Sequence, residues 1–168
     1  MGLNDMSLDA AHRDAARDEL DRLVDRHSGF LVAALAMRDG RPFVHRHRRE
    51  VDAAKLAAMS SAMVALGNTV LTELSAGTLD HVLVEGRLGK LVLVRIPERS
   101  GLLILSVLAS TETLNGLVLG QARSCAVAIG EILMRPAATA SVEVAVPAPA
   151  ALGGQGDIAA LGMPVPAT

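Results

Sequence analysis

The sequence has no tryptophan and no tyrosine, and its only phenylalanines are Phe30 and Phe43. Proteins that grip single-stranded nucleic acid stack the bases on aromatic rings, and this chain has almost none to offer. It also lacks the charge, because the formal net charge is −2 and provides no overall field to hold a polyanion. Nucleic acid is therefore not an expected partner. Cys125 is the one cysteine, so no internal disulfide can form and a reducing compartment is natural. The opening MGLNDMSLDAAHRD lacks the basic-then-apolar pattern of a secretory signal. Gly2 resembles a myristoylation start, but Met6 stands where Ser or Thr is needed. The longest uncharged helical run, 56–72, is short for a membrane span and carries Ser60, Ser61, Asn68 and Thr72. The expectation is a cytoplasmic protein with no membrane partner.

Catalytic signatures are missing too. The sequence contains no G-x-S-x-G elbow, no H-E-x-x-H and no C-x-x-C. "GRLGKL" at 86–91 pairs Gly with Lys, but its loop is too short to cradle a phosphate and Leu91 replaces the required Ser or Thr. It reads as a hairpin turn. Cys125 falls in the apolar stripe of a helix and reads as a small core residue. The residues therefore point to a non-enzymatic protein with no catalytic, cofactor or metal site.

What is present is enough for one domain. The chain has 168 residues, which allows a single real core. Residues 136–168 hold five of the seven prolines and no Lys or Arg, and read as a disordered Ala/Pro-rich tail. Residues 1–7 form a short N-terminal tail, which leaves 8–135 as the domain.

Within it, 8–27 reads as an amphipathic helix, capped by Ser7, with Ala16, Leu20, Leu23, Val24 and His27 on one stripe. Phe30 to Met37 and Phe43 to Arg48 flank Asp39-Gly40, a hairpin signal. Pro42 lacks an amide donor and places the second strand at a sheet edge. Residues 51–74 read as a helix capped by Asp52. Three strands follow, His81 to Glu85, Leu91 to Ile96 and Leu102 to Ala109, the last apolar enough to lie centrally. A final helix at 111–135 carries Leu114, Leu117, Val118, Gln121, Cys125, Ala128, Ile129 and Ile132 as its stripe, and Pro136 stops it. The order is α-β-β-α-β-β-β-α.

"PFVHRHRRE" at 42–50 draws the eye. On a strand, His45 and His47 share one face, and Arg46 and Arg48 the other. Two histidines fall short of the four ligands of a structural zinc site. The stretch reads as an edge strand kept soluble by charge.

The segments "GFLVAALAMRDGRPF", "DAAKLAAMSSAMVALGNTVLTEL", "VLVEGRLGKLVLVRI" and "LLILSVL", in this order over 8–135, resemble the Roadblock family, named for dynein light chains and also found in bacteria. The resemblance implies an α+β fold: a five-stranded antiparallel sheet with helices on both faces. It implies a homodimer, often formed by joining two sheets edge to edge, and for bacterial members a small Ras-like GTPase as partner. Nothing matches an arginine finger, although Arg46, Arg48, Arg87, Arg95 and Arg99 could each ligate a phosphate in principle. Two functions stay open. One is a regulator of a Ras-like GTPase that holds its switch segments. The other is a dimerising structural adaptor with no effect on hydrolysis.

The helix at 51–74 is the expected contact surface. Leu56, Met59, Met63, Leu66, Val70 and Leu74 are spaced to pack on the sheet. The other side, which a lone surface helix would charge, carries only Lys55 between Ala53 and Thr72. There Ala54, Lys55, Ala58, Ser61, Ala65, Asn68 and Thr72 form the candidate interface.

Overall fold

The turn at Asp39-Gly40 is built by local chemistry. Gly40 has a φ of 87°, a backbone that glycine adopts without strain. The Asp39 carboxylate accepts from the Arg41 amide at 3.1 Å and its Nε at 2.7 Å, an Asx-type turn. The computed structural model describes residues 10–98 and 101–135. Its elements are α1 (Ala10–Arg26), β1 (Phe30–Met37), β2 (Pro42–His47), α2 (Ala53–Glu73), β3 (His81–Gly86), β4 (Gly89–Arg95), β5 (Leu103–Ala109) and α3 (Asn115–Met134). The chain divides into two units, Met1–Ala138 and Thr139–Thr168. All the described residues belong to the first. The readings of tails at 1–7 and 136–168, and of a Ser7 cap, fall outside the described residues.

One sheet of five strands runs in the order β2-β1-β5-β4-β3, with every neighbouring pair antiparallel. The fold is the α+β arrangement the sequence implied, with helices on both faces. β2 is an edge strand, as Pro42 indicated, and the ladder shifts register between Leu35 and Ala36, where Ala36 pairs with Pro42. β1 and β5 lie inside the sheet and are buried almost throughout.

The two faces are unequal. Helices α1 and α3 lie together over one, and there Leu20, Leu23, Val24, Phe30, Leu35, Val92, Leu105, Val107, Val118 and Ile129 belong to one continuous core. On the other face α2 lies alone, and only Val64, Leu93 and Ile104 are fully buried in its cluster. Burying one such side chain stabilises by about 1.5–3 kcal/mol, so the α1/α3 face carries most of the hydrophobic driving force.

Two stripes differ from expectation. On α3 the buried residues are Val118, Ala122, Cys125, Ala126, Ile129, Gly130 and Leu133, while Leu114 and Leu117 are exposed. The small residues win because α3 packs closely: a Cβ on Gly130 would meet the Pro97 carbonyl oxygen at 2.8 Å. On α2 the buried residues are Ala57, Ser60 and Val64. Met59, Leu66, Val70 and Leu74 are exposed, so four of the six residues expected to pack on the sheet turn away from it, while Leu56 and Met63 are half-buried. The Cβ of a residue at Gly67 would already sit 3.2 Å from Leu79. Close approach again selects small residues for the buried side. By length and composition α2 and α3 would each suffice to cross a membrane; in this fold both lie against the sheet.

Candidate interaction surface on helix α2 and strand β3

Helix α2 starts where Asp52 accepts from the Lys55 amide at 3.0 Å, satisfying an otherwise orphaned donor. Its course is set by contacts on each flank. Towards the β1–β2 turn, Ala58 abuts Gly40 and the Ser61 hydroxyl donates to the Arg38 carbonyl. Beneath, the Ser60 and Ser106 hydroxyls share a hydrogen bond of 2.8 Å. Towards β3 and β4, Met63 packs on the small cluster with Leu79, Val82 and Leu91.

The seven residues expected at the interface are not equivalent. Ala54, Lys55, Ala58, Ala65 and Thr72 are exposed, and Ser61 and Asn68 are half-buried. Ser61 is committed to Arg38, and the Asn68 amide donates back to the Val64 carbonyl at 3.0 Å. Sequence reasoning missed the larger side chains of the outward surface. Met59 is 48% exposed, Leu66 65%, Val70 46% and Leu74 70%. The signal was available: a helix charged only at Lys55 and Glu73, with more large apolar residues than one narrow contact can bury.

Strand β3 extends this surface. It is the last strand of the sheet and has no neighbour on its outer side among the described residues. On its α3 side it is tied at both ends. Glu85 lies 3.3 Å from Lys90 Nζ and accepts from Asn115 Nδ2 at 3.3 Å, while Lys90 donates to Asn115 Oδ1 at 2.6 Å. At the other end Asp80 pairs with Arg123 of α3 and with His81 at 3.0 Å. Those two partners, His81 first and Arg123 second, hold the Asp80 carboxyl below its ordinary value of 3.8. On the α2 side Val84 is exposed beside the half-buried Val82.

The arginines sort by partner. Arg46 lies 3.2 Å from Asp21 and 3.5 Å from Asp25, and Arg48 3.4 Å from Asp25. Both therefore fasten β2 to α1. Arg87 and Arg95 are exposed, and Arg99 lies outside the described residues. The Cys125 thiol, buried in the main core, is pushed up to about 12 by that burial, with Glu19 adding to it.

Residues 16–106 match the family model of the Roadblock/LC7 domain. No curated protein matches the chain. Solved structures share the fold. A structure described as MglB with tetrameric arrangement superposes with a TM-score of 0.67 at 18% identity, over 75% of this chain and 93% of that one. The gliding protein MglB from Thermus thermophilus gives 0.66 at 18% identity, over 75% and 93%. A Roadblock/LC7 domain from Streptomyces avermitilis gives 0.64 at 22% identity, over 71% and 98%. With the family's model covering more than half of its length and its sheet and helices arranged as in those structures, the chain belongs to the Roadblock/LC7 family.

Proposed function

We propose that this protein is a non-catalytic regulator of a small Ras-like GTPase, acting in the cytoplasm as a homodimer. The observation that supports this most is the outward surface of α2. Met59, Leu66, Val70 and Leu74 stand exposed on a helix whose only charged residues are Lys55 and Glu73. Val84 continues the apolar surface onto an open strand edge. Soluble domains seldom leave contiguous apolar surface uncovered, and where they do it marks an interaction site. An open edge also suits two-fold pairing with a second copy, because the same surface can serve both partners.

In this reading α2 contributes Met59, Leu66 and Val70 as anchors, with Ala54, Lys55, Ala58, Ser61, Ala65, Asn68 and Thr72 around them. Bacterial Roadblock proteins, by the resemblance, partner Ras-like GTPases. The dimer would hold the switch segments of a GTPase that keeps its own nucleotide machinery. Arg46 and Arg48 are already engaged with Asp21 and Asp25, so they favour a holding role over the insertion of a phosphate-binding arginine.

The test is a titration of the purified protein against a Ras-like GTPase from the same organism, loaded with GDP or a non-hydrolysable GTP analogue, together with GTP turnover. A regulator binds one state tighter, and a tenfold preference corresponds to about 1.4 kcal/mol. Equal affinity for both states with unchanged turnover would mean a dimerising adaptor instead. Binding to neither state would refute a GTPase partner.

A further inference from the structure

His45 and His47 of β2 are both exposed, and their rings lie side by side with centroids 5.5 Å apart and planes within 10°. The reverse side of the strand is occupied by the pairing of Arg46 and Arg48 with Asp21 and Asp25. Two imidazoles leaving one face at this spacing can reach one metal ion once their side-chain torsions turn the stacked rings towards it. Imidazole nitrogen suits zinc, copper and nickel. Among the described residues no group of three or more His, Cys, Asp or Glu is placed to hold a metal. One chain therefore supplies half of a four-ligand site.

The strand edge can supply the other half. β2 ends the sheet. The Arg48 amide donates to the Leu31 carbonyl at 2.8 Å, and Val32 stands opposite His47. By the alternation of an antiparallel ladder, residues 44, 46 and 48 spend their amide groups on β1, and the N–H and C=O of His45 and His47 point outward. A second β2 running antiparallel about a two-fold axis at Arg46 would set His45 opposite His47 of the other copy, and His47 opposite its His45. The outward amide groups would close both pairs, and all four rings would stand on one face of the joint ribbon. The two Arg46 side chains would meet on the reverse face, where Asp21 and Asp25 already offset their charge.

We propose that His45 and His47 are half of a zinc site completed by the same two residues of a second copy, joined edge to edge along β2. The site uses neither the exposed apolar residues of α2 nor β3, which forms the opposite edge of the sheet. Zinc would therefore join whatever species exists without it.

The experiment uses the full chain, freed of metal with a chelator. Its mass is followed by size-exclusion chromatography with light scattering, with and without zinc chloride, and zinc uptake is measured by calorimetry. The expected result is one zinc per two chains and a rise in mass that chelator reverses: a doubling if the metal-free species is a monomer, and growth beyond a doubling if it is already a dimer with a free β2 edge at each end. H45A/H47A, altered only at exposed positions, should stay at its metal-free mass. Zinc uptake without a mass change, no uptake, or a zinc-dependent rise in mass that survives in the double variant would each overturn the shared site.

Discussion

Ser60 of α2 and Ser106 of β5 place their hydroxyl oxygens 2.8 Å apart, each almost fully buried. The pair satisfies itself between a helix and a central strand, where water cannot help. Removing one hydroxyl leaves the other without this partner in an apolar site, at a cost of about 1–3 kcal/mol. Ser60→Ala should therefore lower the urea midpoint, and the Ser60→Ala/Ser106→Ala pair should recover part of the loss. A double-mutant cycle measures it. Strictly additive losses would mean that the two hydroxyls do not depend on each other.

The outward face of α2 gives the second prediction. Leu66→Arg should change the stability of an isolated domain by less than about 0.5 kcal/mol, because the site is exposed. In a dimer that covers it, the same change brings in an unpaired charge and costs about 2 kcal/mol or more. Light scattering should show a shift from dimer to monomer with far-ultraviolet circular dichroism preserved. Ala65→Arg, on the same outward side, tests the small-residue part of that surface. Unchanged mass and unchanged partner binding in both variants would show that α2 is free.

Acid should loosen the start of β3. The Asp80 carboxyl is held below 3.8 by His81 and then Arg123, so its contribution is complete above that value and is lost as pH falls through the lowered one. Asp80→Asn should melt below the parent at neutral pH, and the gap should close in acid. The group is exposed, so salt should shrink the effect too. Melting curves at neutral and acid pH, at two salt concentrations, decide it. A gap that widens in acid would reverse the assignment.

Cys125 reports on opening of the core. Its thiol is buried and pushed up to about 12, and the thiolate is the reactive form. Native protein should resist alkylation at neutral pH and become reactive on unfolding. The labelling rate in increasing urea should then follow the opening of the α1/α3 side. Fast labelling of the folded chain would mean that α1 lifts from α3 readily.

Much of the architecture was legible because backbone chemistry announces it. Asp39-Gly40 marked the first hairpin, Pro42 placed β2 at an edge, and the run ending at Ala109 pointed to a central strand. The orientation of α2 was not legible. Both of its sides lack charge, so periodicity could not choose between them, and size misled. Large residues look like core, yet Ala57 and Ser60 are buried under the helix, and Gly67 lets it lie close to Leu79 in the segment before β3. Leu114 and Leu117 misled on α3 for the same reason. The helix singled out in the sequence does carry exposed apolar side chains, but Met59, Leu66, Val70 and Leu74 among them are residues expected to face the sheet.

The strand order also bears on how the chain folds. β1 with β2 forms one hairpin, and β3, β4 and β5 form a consecutive meander. Among the described residues, the only ladder that spans distant sequence is β1 with β5, in which Phe30 meets Ala109 and Met37 meets Leu103. Each local piece can form early, but the sheet is complete only when this seam closes, after the intervening helix and strands have been made. Closure over so long a loop is the slow step for such topologies. Truncations along Ala33, Leu35, Leu105 and Val107 should therefore slow refolding, whereas changes at the β3 edge should mainly speed unfolding.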